Sequence, residues 1–125
     1  MSFTFENLTV YQQALDLVDQ IENLNKSLKG QISFSLMDQL SRAALSVPLN
    51  IAEGNGRWHA NDKKHFLRIA QGSVFEMVPI FQVLQRRNLI DKPIYENTYK
   101  RLESLAKMLT NLIKSVDSLK QRQPS

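Results

Sequence analysis

The sequence predicts an all-α fold, an up-down-up-down antiparallel four-helix bundle. Apolar residues recur at three- and four-residue steps in four long runs. Glycine or proline punctuates the chain between those runs. No stretch alternates with period two for long enough to propose a strand. At 125 residues the chain is one domain, 1–125, long enough to bury a core without disulfides or metals.

The first helix is expected over about 8–28. Leu8, Tyr11, Leu15, Val18, Ile21, Leu24 and Leu28 mark its inner face, with Asn7 as N-cap. Lys26 and Lys29 suit its C-terminal dipole and Gly30 ends it. The second helix is expected over about 33–54, capped by Ser33 or Ser35, with Ser35 and Asp38 as a capping-box variant. Its core face is Leu36, Met37, Leu40, Ala44, Val47 and Ile51. Pro48 should kink it and Gly54 and Gly56 should end it. The third helix is expected over about 62–87, capped by Asn61 or Asp62. Phe66, Ile69, Ala70, Ser73, Met77, Ile80, Phe81 and Leu84 form its inner face. Leu67, Val74, Phe75, Val78 and Val83 leave the outer face apolar as well, and Pro79 adds a second kink. A helix apolar nearly all round is buried on more than one side, which argues for a partner subunit. Asp91-Lys92-Pro93 reads as a connection. The fourth helix, about 94–119, repeats by sevens through Leu102, Leu109 and Val116 and through Leu105, Leu112 and Leu119. Residues 121–125 should fray.

Composition narrows the function. The absence of cysteine excludes disulfides and thiolate metal sites. No apolar run approaches the ~20 residues of a membrane span, and the first residues do not resemble a signal peptide; a cytoplasmic protein without membrane contact is expected. The net charge is +4, unevenly placed. Residues 1–30 carry two basic against four acidic side chains, whereas residues 62–92 and 93–125 each carry six against three. A basic C-terminal half suggests a polyanionic partner, nucleic acid first, although a solubilising surface would look the same.

The stretch Ser46–Arg57 is the most unusual part of the chain. Helical spacing aligns Arg42, Ser46, Asn50, Glu53 and Arg57 in one polar stripe. Glu53 and Arg57 can pair, and Asn50 can satisfy the carbonyl that Pro48 leaves without a donor. Ser73 and Glu76 lie among apolar residues on the third helix. A buried Glu76 would need Arg42 or Arg57 as its cation. Asn50, Glu53, Arg57, Ser73 and Glu76 are therefore expected to form one polar network that fixes helix register.

Val10–Leu15, Gln39–Arg57 and Phe66–Ser73 followed by Glu76 resemble the signatures of the family named for the 23S rRNA intervening-sequence protein. Ser41 stands where that family often has a second arginine, which thins the basic stripe. Gly72–Pro79 and Arg86–Ile90 look more like one branch, the accessory variability determinant of diversity-generating retroelements. The resemblance implies a four-helix bundle assembled into a ring-shaped homopentamer. The branch implies a non-catalytic accessory that binds a reverse transcriptase and template RNA or cDNA. The broader family leaves an RNA-binding or structural role, and an interaction scaffold without nucleic acid is a third reading.

Candidate nucleic-acid contacts are Arg42, Arg57, Trp58, His59, Lys63, Lys64 and Arg68, with His65 nearby: cations beside an aromatic can grip phosphates and stack a base. Lys100, Arg101, Lys107 and Lys114 form a second candidate surface. Val74, Phe75, Val78, Arg86 and Arg87 are candidates for partner or subunit contact. The bland alternatives are solvated helix faces, with Trp58 tucked into a subunit contact. His59, Asp62 and His65 lack metal-ligand spacing. Gly54-Asn55-Gly56 follows a helix and lacks the third glycine of a dinucleotide loop. No nucleophile–base motif stands out, so neither cofactor nor catalysis is expected, and the nucleic acid (RNA, DNA or a hybrid) is left open.

Overall fold

The computed structural model describes the backbone of residues 3–122 and the side chains of 3–118. Four helices follow a short 3-10 turn at Thr4–Asn7: α1 (Thr9–Leu28), α2 (Phe34–Asn55), α3 (Ala60–Arg86) and α4 (Lys92–Arg122). Each packs on its two neighbours in the order α1, α2, α3, α4 and back to α1, the arrangement of a four-helix bundle. The α2–α3 and α3–α4 seams are extensive, and the α1–α4 seam is the thinnest.

The helix ends follow local chemistry, with several differences from the expected boundaries. Leu8, not Asn7, precedes α1 and supplies no side-chain cap. Gly30 takes φ +86° just after α1, a conformation that favours glycine. Ser33 is the cap of α2, its hydroxyl accepting from the Leu36 N–H at 3.1 Å; the Ser35–Asp38 variant is not used. α2 continues through Pro48, which is buried. Gly56 ends α2 in a right-handed conformation open to any residue. Gly54 has a different duty from the expected helix stop. It is buried inside α2, and a Cβ there would lie 3.1 Å from the Lys63 carbonyl oxygen and 3.3 Å from Phe66 Cβ. Its missing side chain lets α3 approach. α3 begins at Ala60 after His59, so Asp62 lies within the first turn, where its charge suits the helix dipole. It ends with Asn88 at φ +57° and the Leu89 N–H donating to the Leu84 carbonyl at 3.0 Å, a Schellman-type stop. Asp91 is no mere connection: its carboxylate accepts from the Ile94 N–H at 2.9 Å and caps α4. Pro93 is tolerated in that first turn, where no intrahelical donor is needed. α4 runs on to Arg122, so residues 121 and 122, expected to fray, are helical. Residues 123–125 and the Leu119 side chain lie outside the described residues.

The core joins Leu17 and Ile21 of α1, Leu40, Val47 and Ile51 of α2, Val74, Met77, Phe81 and Leu84 of α3, and Leu102, Leu105 and Leu109 of α4. Burying such side chains contributes about 1.5–3 kcal/mol each before entropic costs. On α3 the buried residues are Leu67, Ala70, Ser73, Val74, Met77, Ile80, Phe81 and Leu84. That corrects the expected face: Leu67 and Val74 belong to the core, Val74 at 1% exposure, while Ile69 is 39% exposed. Val74 is therefore no partner contact in the subunit surface. Val78 and Val83 are half-buried. Phe75, at 58% exposure, is what remains of the apolar surplus on that side.

Candidate nucleic-acid interface

The basic loop cluster is largely built into the fold. Lys63 donates to the Asn55 carbonyl at 3.1 Å, reaching from α3 to the negative end of α2. Lys64 bridges α3 to α4 through a 2.6 Å bond to Asp117, its side chain only 14% exposed. Arg57 pairs with Glu53 at 3.1 Å and lies 4.6 Å from the centre of the Phe66 ring, a cation–π position. Arg42 pairs with Asp38 at 3.0 Å. Trp58 is 95% exposed, His59 and Arg68 are exposed, and Arg68 has no ion pair among the described residues. Sequence places these groups together; the structure leaves mainly Trp58, His59 and Arg68 free to meet a ligand.

The expected single polar network is instead divided into separate contacts. Ser73 donates to the Ser46 hydroxyl at 2.8 Å across the α2–α3 seam. Asn50 donates to the Ser46 carbonyl at 2.8 Å and hydroxyl at 3.0 Å, not to the Ala44 carbonyl opposite Pro48. Glu76 is exposed and accepts from Gln39 at 3.2 Å, so it meets neither Arg42 nor Arg57 and needs no cation. The Ser46–Ser73 bond and the close approach at Gly54 join α2 to α3. Ser41 accepts from the buried Asn25 at 2.7 Å, a contact that sequence reasoning missed because it joins α1 to α2.

The outer face of α4 is the contrast. Lys100, Arg101, Lys107 and Lys114 are all exposed, and none forms an ion pair among the described residues. The three lysines are seven residues apart, so they share one side of the helix at intervals of about 10.5 Å. Glu103 is the acidic interruption in the row. Tyr99 is exposed beside Lys100, and its ring centre lies 6.1 Å from that of Tyr95. This aromatic pair next to cations was not singled out from sequence, although its i,i+4 spacing was visible. Arg86 and Arg87 are exposed at the α3 terminus.

A second surface is apolar. Leu45 and Leu49 of α2 and Ile69 and Phe75 of α3 are substantially exposed. Because Ser46 faces Ser73 in antiparallel helices, Leu49 and Ile69 lie at one level, a turn further along the seam.

Among the described residues no three His, Asp or Glu side chains converge as metal ligands would. Nor is any described helix long and apolar enough to cross a membrane.

The model of the 23S rRNA-intervening sequence protein family matches residues 6–111, which is most of the four helices. The chain belongs to that family. The chain is also similar to a protein of known crystal structure. That protein is one of unknown function from the S23 ribosomal protein family of Bacteroides thetaiotaomicron. The two share 27% identity and superpose with a TM-score of 0.79, over 84% of this chain and 95% of the other. No curated protein matches the chain. The narrower likeness to the retroelement branch has no counterpart in these comparisons.

Proposed function

We propose that this member of the 23S rRNA-intervening sequence protein family is a non-catalytic RNA-binding protein that meets nucleic acid with the outer face of α4. The observation that carries the reading is the row of Lys100, Arg101, Lys107 and Lys114, exposed and without an ion pair among the described residues. Unpaired cations at regular spacing neutralise phosphates, release counterions and bind without demanding a sequence. The family name supports RNA as the polyanion. The exposed Leu45, Leu49, Ile69 and Phe75 support self-association, in the pentameric ring that the sequence resemblance implies. A ring would repeat the α4 row and multiply its weak contacts through avidity.

The test is binding to RNA, DNA and their hybrid across a salt series, with solution mass measured on the same sample. Affinity that falls steeply with salt, from a particle several subunits in mass, is the expected result. Absence of binding at low salt would leave a protein-interaction scaffold. A retroelement accessory role, with a reverse transcriptase as partner, is the second reading. It is favoured by the Gly72–Pro79 and Arg86–Ile90 segments, and by the exposure of Arg86 and Arg87. A reverse transcriptase gene beside this one, and capture of that enzyme by the protein, would support it.

A further inference from the structure

The thin α1–α4 seam contains an open cleft of about 350 Å³. Gln13 and Asp16 of α1 form one wall, and Asn97, Lys100, Arg101 and Ser104 of α4 form the other. The helices are tied together beside it by Gln20, which donates to the buried Thr98 hydroxyl at 2.9 Å. Lys100 and Arg101 thus belong both to the α4 row and to the cleft wall.

The polar groups of this cleft are chemically sorted. Two cations stand on one wall. Asp16 is the acidic group lining the cleft, and it forms no ion pair with them or any other described residue. An ionised carboxylate only accepts hydrogen bonds, so it repels phosphate and selects donors such as hydroxyls. Gln13, Asn97 and Ser104 can donate and accept. A phosphate, a hydroxyl donor and a mixed polar edge together describe a nucleotide.

We propose that the α1–α4 cleft receives one ribonucleotide unit, its phosphate on Lys100 and Arg101 and its ribose 2′-hydroxyl donating to Asp16. The inference rests on the reading that the α4 face meets nucleic acid, and it adds a reason for choosing RNA. The 2′-hydroxyl is the group by which a protein distinguishes RNA from DNA at one site. Asp16 supplies an acceptor for it, and the 2′ carbon of a deoxyribose offers that acceptor no donor.

The experiment compares labelled single-stranded RNA and DNA of one sequence, binding to wild type, Asp16→Ala and Asp19→Ala at fixed salt. Asp19 is an exposed α1 carboxylate that does not line the cleft, so its removal controls for general charge. Wild type should prefer RNA by about tenfold, the worth of one charge-assisted hydrogen bond. Asp16→Ala should lose that preference by weakening RNA alone, and Asp19→Ala should keep it. Equal affinity for RNA and DNA in the wild type overturns the inference, as does an Asp16→Ala effect shared equally by both strands. Loss of all salt-sensitive binding is a different failure, because it removes the α4 interface itself. Adenosine monophosphate and its 2′-deoxy counterpart serve as competitors to show the source of the unit. Competition by the ribonucleotide alone supports the contact with a free nucleotide, and RNA preference without such competition supports it with a strand.

Discussion

The start of α3 and the outer face of α4 are both basic in sequence, yet they hold their charge in opposite ways. Lys63 and Lys64 point into neighbouring elements, one at the α2 terminus and one at Asp117 of α4. Lys100, Arg101, Lys107 and Lys114 are exposed and form no ion pair among the described residues. Composition measures how much charge a segment has. Packing decides how much of it a partner can use. A lysine bonded across a seam is a strut, whereas an exposed lysine without an ion pair is available.

The comparison breaks most clearly if α4 is reversed in charge. Replacing Lys100, Lys107 and Lys114 by Glu should lower RNA affinity by at least about 100-fold and reduce the salt slope by about two to three contacts. The helix should still form, because all three sites face solvent, and circular dichroism would verify that. An unchanged salt slope would transfer the interface elsewhere. Gly54→Ala probes the structural side. The added methyl meets backbone at 3.1 Å, and we expect a loss of about 1–3 kcal/mol in urea unfolding, the usual cost of overpacking. Lys64→Ala sharpens the contrast further. It should cost about 1 kcal/mol, since the pair is half-exposed on the Asp117 side, while RNA affinity stays within about twofold. A large affinity loss with little destabilisation would restore Lys64 as a ligand contact. Trp58→Ala is the smallest expected change, within about 0.5 kcal/mol of wild-type stability, because a side chain so exposed packs on little.

The bundle was legible because apolar spacing reports burial directly. Leu102, Leu105 and Leu109 were expected in the seam and are there. Capping was legible where one side chain decides it, as at Ser33. Val74 misled because α3 is apolar on adjoining faces, so that a stripe through Phe66 and Ile69 competes with the buried one through Leu67, Ala70, Val74, Met77, Phe81 and Leu84. Glu76 misled because its apolar sequence neighbours point elsewhere on the helix. The loop cluster was the least legible. The partner of Lys64 is 53 residues away, and no local pattern encodes that pairing. The cleft was equally hidden, since it is formed by the first and last helices.

Trp58 is the sole tryptophan of the chain, and it stands almost wholly in water. The protein therefore carries its own optical probe at the tip of the α2–α3 turn. In the isolated subunit its emission should be that of a hydrated indole, insensitive to unfolding and readily quenched by iodide. Anything that settles over this turn, whether a neighbouring subunit or a stacked base, should shift the emission to shorter wavelength or extinguish it. Assembly over this turn could then be followed in one cuvette, without a label, by dilution.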